Sequence, residues 1–185
     1  GRRLNKVLAN TLTCNSIYLR QIMQQYAAGK SDDLAYRLAR RNAHNADAAL
    51  STTLANMLME PGHFRKEADV GFRFLVLSHT LLSYLSGLGA HRETQLPQDV
   101  REQLIEGAGV KLAASIDEIA QGLASKSAIA IQSDEEEALA NALEQMPDEI
   151  DEGQRLVQTQ LGLICRQLGP LRTLAAHLIK DTSED

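Results

Sequence analysis

The 185-residue chain contains no tryptophan, and phenylalanine and tyrosine together make up only 4% of it. A core of this size therefore has to be filled by aliphatic side chains, and alanine and leucine dominate, which suits helices packed closely through small residues. There are four prolines, and no segment alternates β-branched and polar residues, so a sheet has no sequence support. Only two cysteines occur, Cys14 and Cys165, both within helix-like periodicity. They read as small hydrophobes in a reducing compartment, not as a disulfide framework. No excess of positive charge exists either. With 19 basic and 24 acidic residues the net charge is -5, which gives no field for wrapping nucleic acid. The segment nearest to a membrane span is Phe74 to Ala90, which has no Asp, Glu, Lys or Arg, but its Ser78, His79, Thr80, Ser83, Ser86, Gly87 and Gly89 suit a buried helix better than a membrane span.

What is present is helical periodicity. Leu4, Val7, Leu8, Leu12, Leu19, Ile22, Met23 and Tyr26 recur at threes and fours and predict a first helix ending at Gly29. Ser31 caps a second helix that ends before Pro61. A third runs from about Arg65 to Leu88. It has an uncharged rear side of Phe72, Val76, His79, Ser83 and Ser86, which predicts a central position in the bundle. Pro97 opens a fourth helix. The loop "SKSAIAIQ" exposes Ile129 and Ile131, and Ser133 and Glu136 have the spacing of a capping box for a short fifth helix. A sixth runs from about Glu149 to Lys180, with a kink or break at Gly169 and Pro170. The expectation is an all-α protein, an antiparallel up-down bundle of about five or six helices. It forms one domain over 1–185, with the first three helices in 1–93, the fourth in 94–126, and a loop, short helix and long C-terminal helix in 127–185.

The stretch "LAYRLARRNAHNADAAL" poses the functional question. Ala35, Leu38, Ala39, Ala46, Ala49, Leu50 and Met57 form one Ala-rich face, expected to pack, with Asn42, Asn45 and Asn56 in or beside it and bonded across to neighbouring helices. The other side gathers Arg37, Arg40, His44, Asp47 and Ser51 in one arc, and Arg41 is counted with Arg37, Arg40, His44 and Asp47 as a candidate ligand residue. Such an arc is a wet helix face, a buried network that sets register, or an anion site, and His79 on the third helix could join it. Small carboxylates are the ligand class that clustered arginines favour. No metal is expected, because no HxxxH, ExxH or CxxC spacing occurs, and no phosphate loop, nucleophile elbow or dinucleotide turn is present. No cofactor and no catalytic residue is assigned.

"LAYRLARRNAHNADAALSTTLANMLMEPG" followed by "GFRFLVLSHTLLSYLSGLGAHRE" resembles the C-terminal region of the YccS/YhfK family of bacterial inner-membrane proteins, closest to the YhfK branch. These belong to a wider group of fusaric-acid-resistance and aromatic-acid-exporter-like proteins. The resemblance implies a parent chain with membrane blocks and cytoplasmic helical regions. This segment would lie on the cytoplasmic side of the inner membrane, with Arg2, Arg3 and Lys6 nearest the bilayer. A start without methionine is consistent with a piece of something longer. The implied function is a non-catalytic domain of a transporter- or efflux-like protein that assembles or regulates the membrane part. Its partners would be the transmembrane part of its own chain and a second copy of itself. The alternatives are a bundle that senses aromatic carboxylates and, last, a histidine-dependent enzyme built on His44 and Asp47.

Overall fold

A computed structural model describes residues 2–28, 34–62 and 65–183. Every element among them is helical: α1 (Arg2–Ala28), α2 (Leu34–Met59), α3 (Arg65–Ala90), α4 (Gln98–Arg101), a π-helical stretch (Glu102–Gly109), α5 (Val110–Ser125), α6 (Asp134–Glu144) and α7 (Glu152–Ser183). The backbone stays right-handed helical at Glu102, Arg101, Gly109 and Val110, so α4, the π-helical stretch and α5 form one continuous rod. The expected all-α bundle of about six helices is observed. The stop at Gly29 and the cap at Ser31 lie outside the described residues.

Side-chain register gives the helix directions. Tyr18 stacks on Tyr36 while Leu4 and Leu54 both reach Gly71, so α2 runs antiparallel to α1 and α3 parallel to it. Ser16 donates to the Ala113 carbonyl at 3.4 Å, and Met23 lies on Gly109, so the fourth rod returns antiparallel to α1. Arg20 strengthens that seam by bonding Ser16 at 2.6 Å and pairing with Asp117 at 2.6 Å. Contacts then place α1, α3, α7 and α5 in a ring, with α2 laid over α1 and α3 and α6 laid over α7. Leu8, Leu12, Leu19 and Ile22 of α1, Phe74, Leu81 and Leu85 of α3, Leu112 and Ile116 of α5, and Leu161, Leu168 and Leu171 of α7 fill the interior. Full burial of each such side chain contributes about 1.5–3 kcal/mol before the entropy of ordering it.

Several expectations change. The packing face of α2 is Tyr36, Ala39, Ala43, Ala46, Leu50 and Leu54, whereas Ala35, Leu38 and Ala49 are exposed. An alanine-rich helix offers two stripes of nearly equal apolarity, and Tyr36 with Leu54 decides between them. Asn42, Asn45 and Asn56 accordingly face outward instead of bonding across the bundle. The rear of α3 is not central. Val76 is 64% exposed, and His79 and Ser83 are exposed too, so the absence of charge there marks a surface. Pro170 does not interrupt α7. Ile129 folds back onto Gly122 and is half-buried, while Ile131 remains exposed. The π-helical stretch has no local sequence signal beyond Gly107 and Gly109. A Cβ at Gly109 would overlap the thioether of Met23 of α1, so glycine here leaves room for that side chain.

The capping box is also altered. The backbone N–H of Glu136 donates to Ser133 Oγ at 3.3 Å, as the spacing predicts, but the Glu136 carboxylate turns inward. It accepts from Arg172 of α7, Nε at 2.9 Å and Nη2 at 2.5 Å. Arg172 is 2% exposed and also donates to Glu118 of α5 at 3.2 Å and to the Ala130 carbonyl at 3.2 Å. One buried guanidinium thus joins α5, the loop, α6 and α7. Removing its buried partner leaves an uncompensated charge, so Glu136→Ala is expected to destabilise the fold by about 3–5 kcal/mol. Glu118→Ala, which removes a solvent-facing carboxylate, should cost under about 1 kcal/mol. Urea denaturation midpoints of the two variants check this ordering.

Candidate functional site

Arg37, Arg40, Arg41 and His44 are all exposed along α2. Asp47 is turned the other way, towards α3, where its Oδ2 lies 2.9 Å from His79 Nδ1. The carboxylate is 16% exposed and the imidazole 68%. The structure therefore brings together Asp47 and His79 and leaves the three arginines and His44 on the exposed side of α2. This contact ties α2 to α3 at the protein surface, where such a pair contributes about 0–1 kcal/mol. Among the described residues, no group of three or more His, Cys, Asp or Glu is placed to hold a metal ion.

A second polar centre was not foreseen. At one end of the bundle Tyr18 and Tyr26 of α1, Tyr36 of α2 and Arg92 just beyond α3 meet around Gly89. The Tyr18 and Tyr36 rings are 5.8 Å apart at 53°. The Arg92 guanidinium lies 4.3 Å over the Tyr36 ring and donates to the Gly89 carbonyl at 3.0 Å. Tyr26 donates its hydroxyl to the Leu88 carbonyl at 2.7 Å. A Cβ at Gly89 would come within 2.5 Å of the Tyr36 hydroxyl, so glycine makes room for the phenol. Burial first, then the Tyr18 phenol, pushes Tyr36 up to about 12. Burial, and after it Tyr36, also raises Tyr26 above its ordinary value. The cluster is helix-end packing: the Tyr26 phenol bonds to the Leu88 carbonyl near the end of α3 and a cation covers the Tyr36 ring, while the buried Tyr18 hydroxyl and Arg92 Nε have no hydrogen-bond partner. Three of the chain's four tyrosines take part, a concentration visible only once the helices are paired.

A cavity of ≈ 550 Å³ opens beside the start of α6, lined by Ser133, Asp134, Glu136, Glu137, Cys165 and Arg166 among others. Its polar groups are already engaged. Arg166 bonds Glu137 at 2.8 Å, Asn141 at 3.0 Å and Glu144. The Cys165 thiol donates to the Glu136 carbonyl at 3.2 Å, and burial, followed by Glu136, pushes it up to about 11. A thiol so protonated at neutral pH is a poor nucleophile.

Over half of its length the chain is 46% identical to the inner membrane protein YccS of Escherichia coli. It is also 46% identical over 57% of its length to an uncharacterised protein of Haemophilus influenzae, and 33% identical over 46% to an uncharacterised protein, ORF2, of Neisseria gonorrhoeae. The matched regions cover 13%, 15% and 21% of those proteins' own lengths respectively. Identity at this level supports kinship with YccS. No family profile and no solved structure matches the chain. No helix among the described residues is long and apolar enough to cross a membrane.

Above pH 10 the unfolded chain loses its phenol protons, while folded Tyr26 and Tyr36 keep theirs. The contribution of these two groups to stability is therefore intact below pH 10; that of Tyr36 is lost as pH rises through about 12, and that of Tyr26, which is raised further, is lost only above that. Phenolate absorbance against pH, with parallel denaturation curves, should show two late-titrating tyrosines, Tyr36 before Tyr26, and a stability loss that begins only above pH 10. In Tyr36→Phe the loss should be smaller.

Proposed function

We propose that this chain is a non-catalytic helical domain of a bacterial inner-membrane protein of the YccS/YhfK kind. It lies on the cytoplasmic side and serves to assemble or regulate the membrane part of a transporter- or efflux-like protein. The 46% identity to YccS over half of the chain carries this reading. Two structural features support it. Several polar side chains that could do chemistry are engaged with one another: Asp47 through Oδ2 with His79, Arg172 with Glu136, and Arg166 with Glu137 and Glu144. The outer faces of α2 and α3 carry exposed apolar side chains, including Leu38, Leu58, Met59 and Val76, as an assembly domain requires.

The test is fractionation of bacteria expressing the native gene, followed by antibodies raised against this chain. The epitope is expected in the inner-membrane fraction. It should resist protease in spheroplasts and be cleaved in inside-out vesicles. An epitope recovered only from the soluble fraction, or one cleaved in intact spheroplasts, would overturn the proposal.

A further inference from the structure

The outward face of α2 has the spacing of a second packing seam. Exposed positions recur at alternating steps of four and three residues from Leu34 to Met59, the repeat by which helices meet through knobs and holes. The inward face, from Tyr36 to Leu54, is already used by α1 and α3. Four exposed large hydrophobics lie on this one helix: Leu34 at 65%, Leu38 at 46%, Leu58 at 48% and Met59 at 85%. Near the middle the seam narrows to Asn45 and Ala48, beside Ala49, and Thr52 bonds its hydroxyl to the Ala48 carbonyl at 3.1 Å, which lessens the cost of covering it.

We infer that this face pairs with the same face of a second copy of the chain, α2 against α2 in antiparallel orientation about a twofold axis. The inference rests on the assembly reading above and identifies its surface and partner. The step pattern is the same read in either direction, so an antiparallel pair stays in register along the whole helix. Leu34 then faces Met59 of the second copy, Leu38 faces Ala55, Arg41 faces Thr52 and Asn45 faces Ala48. Alanines fall at the axis, where helices must approach most closely, and large apolar residues fall at the ends. The two Asn45 amides come together beside the axis, where a polar pair holds one register against slippage.

Charge selects the same orientation. The basic residues of α2 lie in its first half, at Arg37, Arg40, Arg41 and His44. Its one acid, Asp47, is occupied by His79. From Ala48 to Met59 there is no charge, and the last turn carries no basic residue to complement the helix dipole. A parallel pair would stack arginines on arginines. An antiparallel pair lays the basic half of each helix on the neutral half of the other and brings arginines towards its uncompensated carbonyl end.

Sedimentation equilibrium of the chain, from micromolar to millimolar concentration, tests this. The expected result is a twofold rise in mass, abolished by Ala48→Arg. Thr52→Glu is a second disrupting variant. Both positions are exposed in the single chain, so the variants should keep the parent's circular dichroism, and their melting temperature should not change with concentration whereas the parent's should rise with it. Orientation is read in a Cys14→Ser background by oxidation. Asn45→Cys combined with Ala48→Cys should give a covalent dimer. Leu38→Cys alone should not, because the two copies of that position stand about 25 Å apart along the antiparallel pair. A chain that stays monomeric at every concentration, a dimer indifferent to both disrupting variants, or efficient cross-linking through Leu38→Cys would each overturn the inference. The membrane fractionation result is independent of all three, so this pairing can fail while the functional reading stands.

Discussion

A guanidinium cannot stay inside a protein without its counter-charges, and Arg172 is 2% exposed. The C-terminal half is arranged around that demand. Glu136 gives up the reciprocal half of a capping box to face it, Glu118 reaches it from α5, and the Ala130 carbonyl closes the remaining side. The short helix α6 has little core of its own. It is held to α7 by this clamp, by Arg166 on its outer side, and by Gln158 donating to the Leu143 and Gln145 carbonyls at 2.9 and 3.0 Å. A charge network of this kind adds less stability than a well-packed apolar contact would, but it tolerates only one placement of the elements it joins.

The N-terminal half is governed by closeness instead of charge. Glycine at 89 and 109 and alanine at 39, 43 and 46 let helices approach where leucine would hold them apart. The tyrosine and arginine side chains at the open end then close the α1–α2–α3 junction by bonding to helix-terminal carbonyls. Both halves therefore use their polar groups for architecture. What they leave outside is one face of α2, a helix whose other face lies in the bundle and whose solvent side mixes exposed leucines and a methionine with all of its basic residues.

That asymmetry is where structure and proposed role meet. A domain attached to a membrane protein needs surfaces that recognise neighbours more than it needs a reaction centre. The exposed apolar residues and the one-sided charge of α2 have that character. Asp47 and His79, which looked chemically interesting in isolation, tie α2 to α3 and so help to hold that surface in place.

The sequence alone determined the helices and their order. Threes-and-fours spacing, Pro97, the Ser133 cap and the scarcity of β-branched alternation are local signals, and local geometry is what they encode. Arg172 was legible only in part. It interrupts the apolar stripe formed by Leu168, Leu171, Ala175 and Leu178, which marks it as inward-facing, but its partners lie 36 and 54 residues away. Tertiary structure alone decided which alanine stripe of α2 is buried, because alanine contributes too little burial for either choice to dominate locally. It also decided the π-helical register against Met23, the meeting of three tyrosines at Gly89, and the separation of Asp47 from the arginines beside it in sequence. These outcomes depend on which helix lies opposite, and periodicity within one helix carries no information about its neighbour.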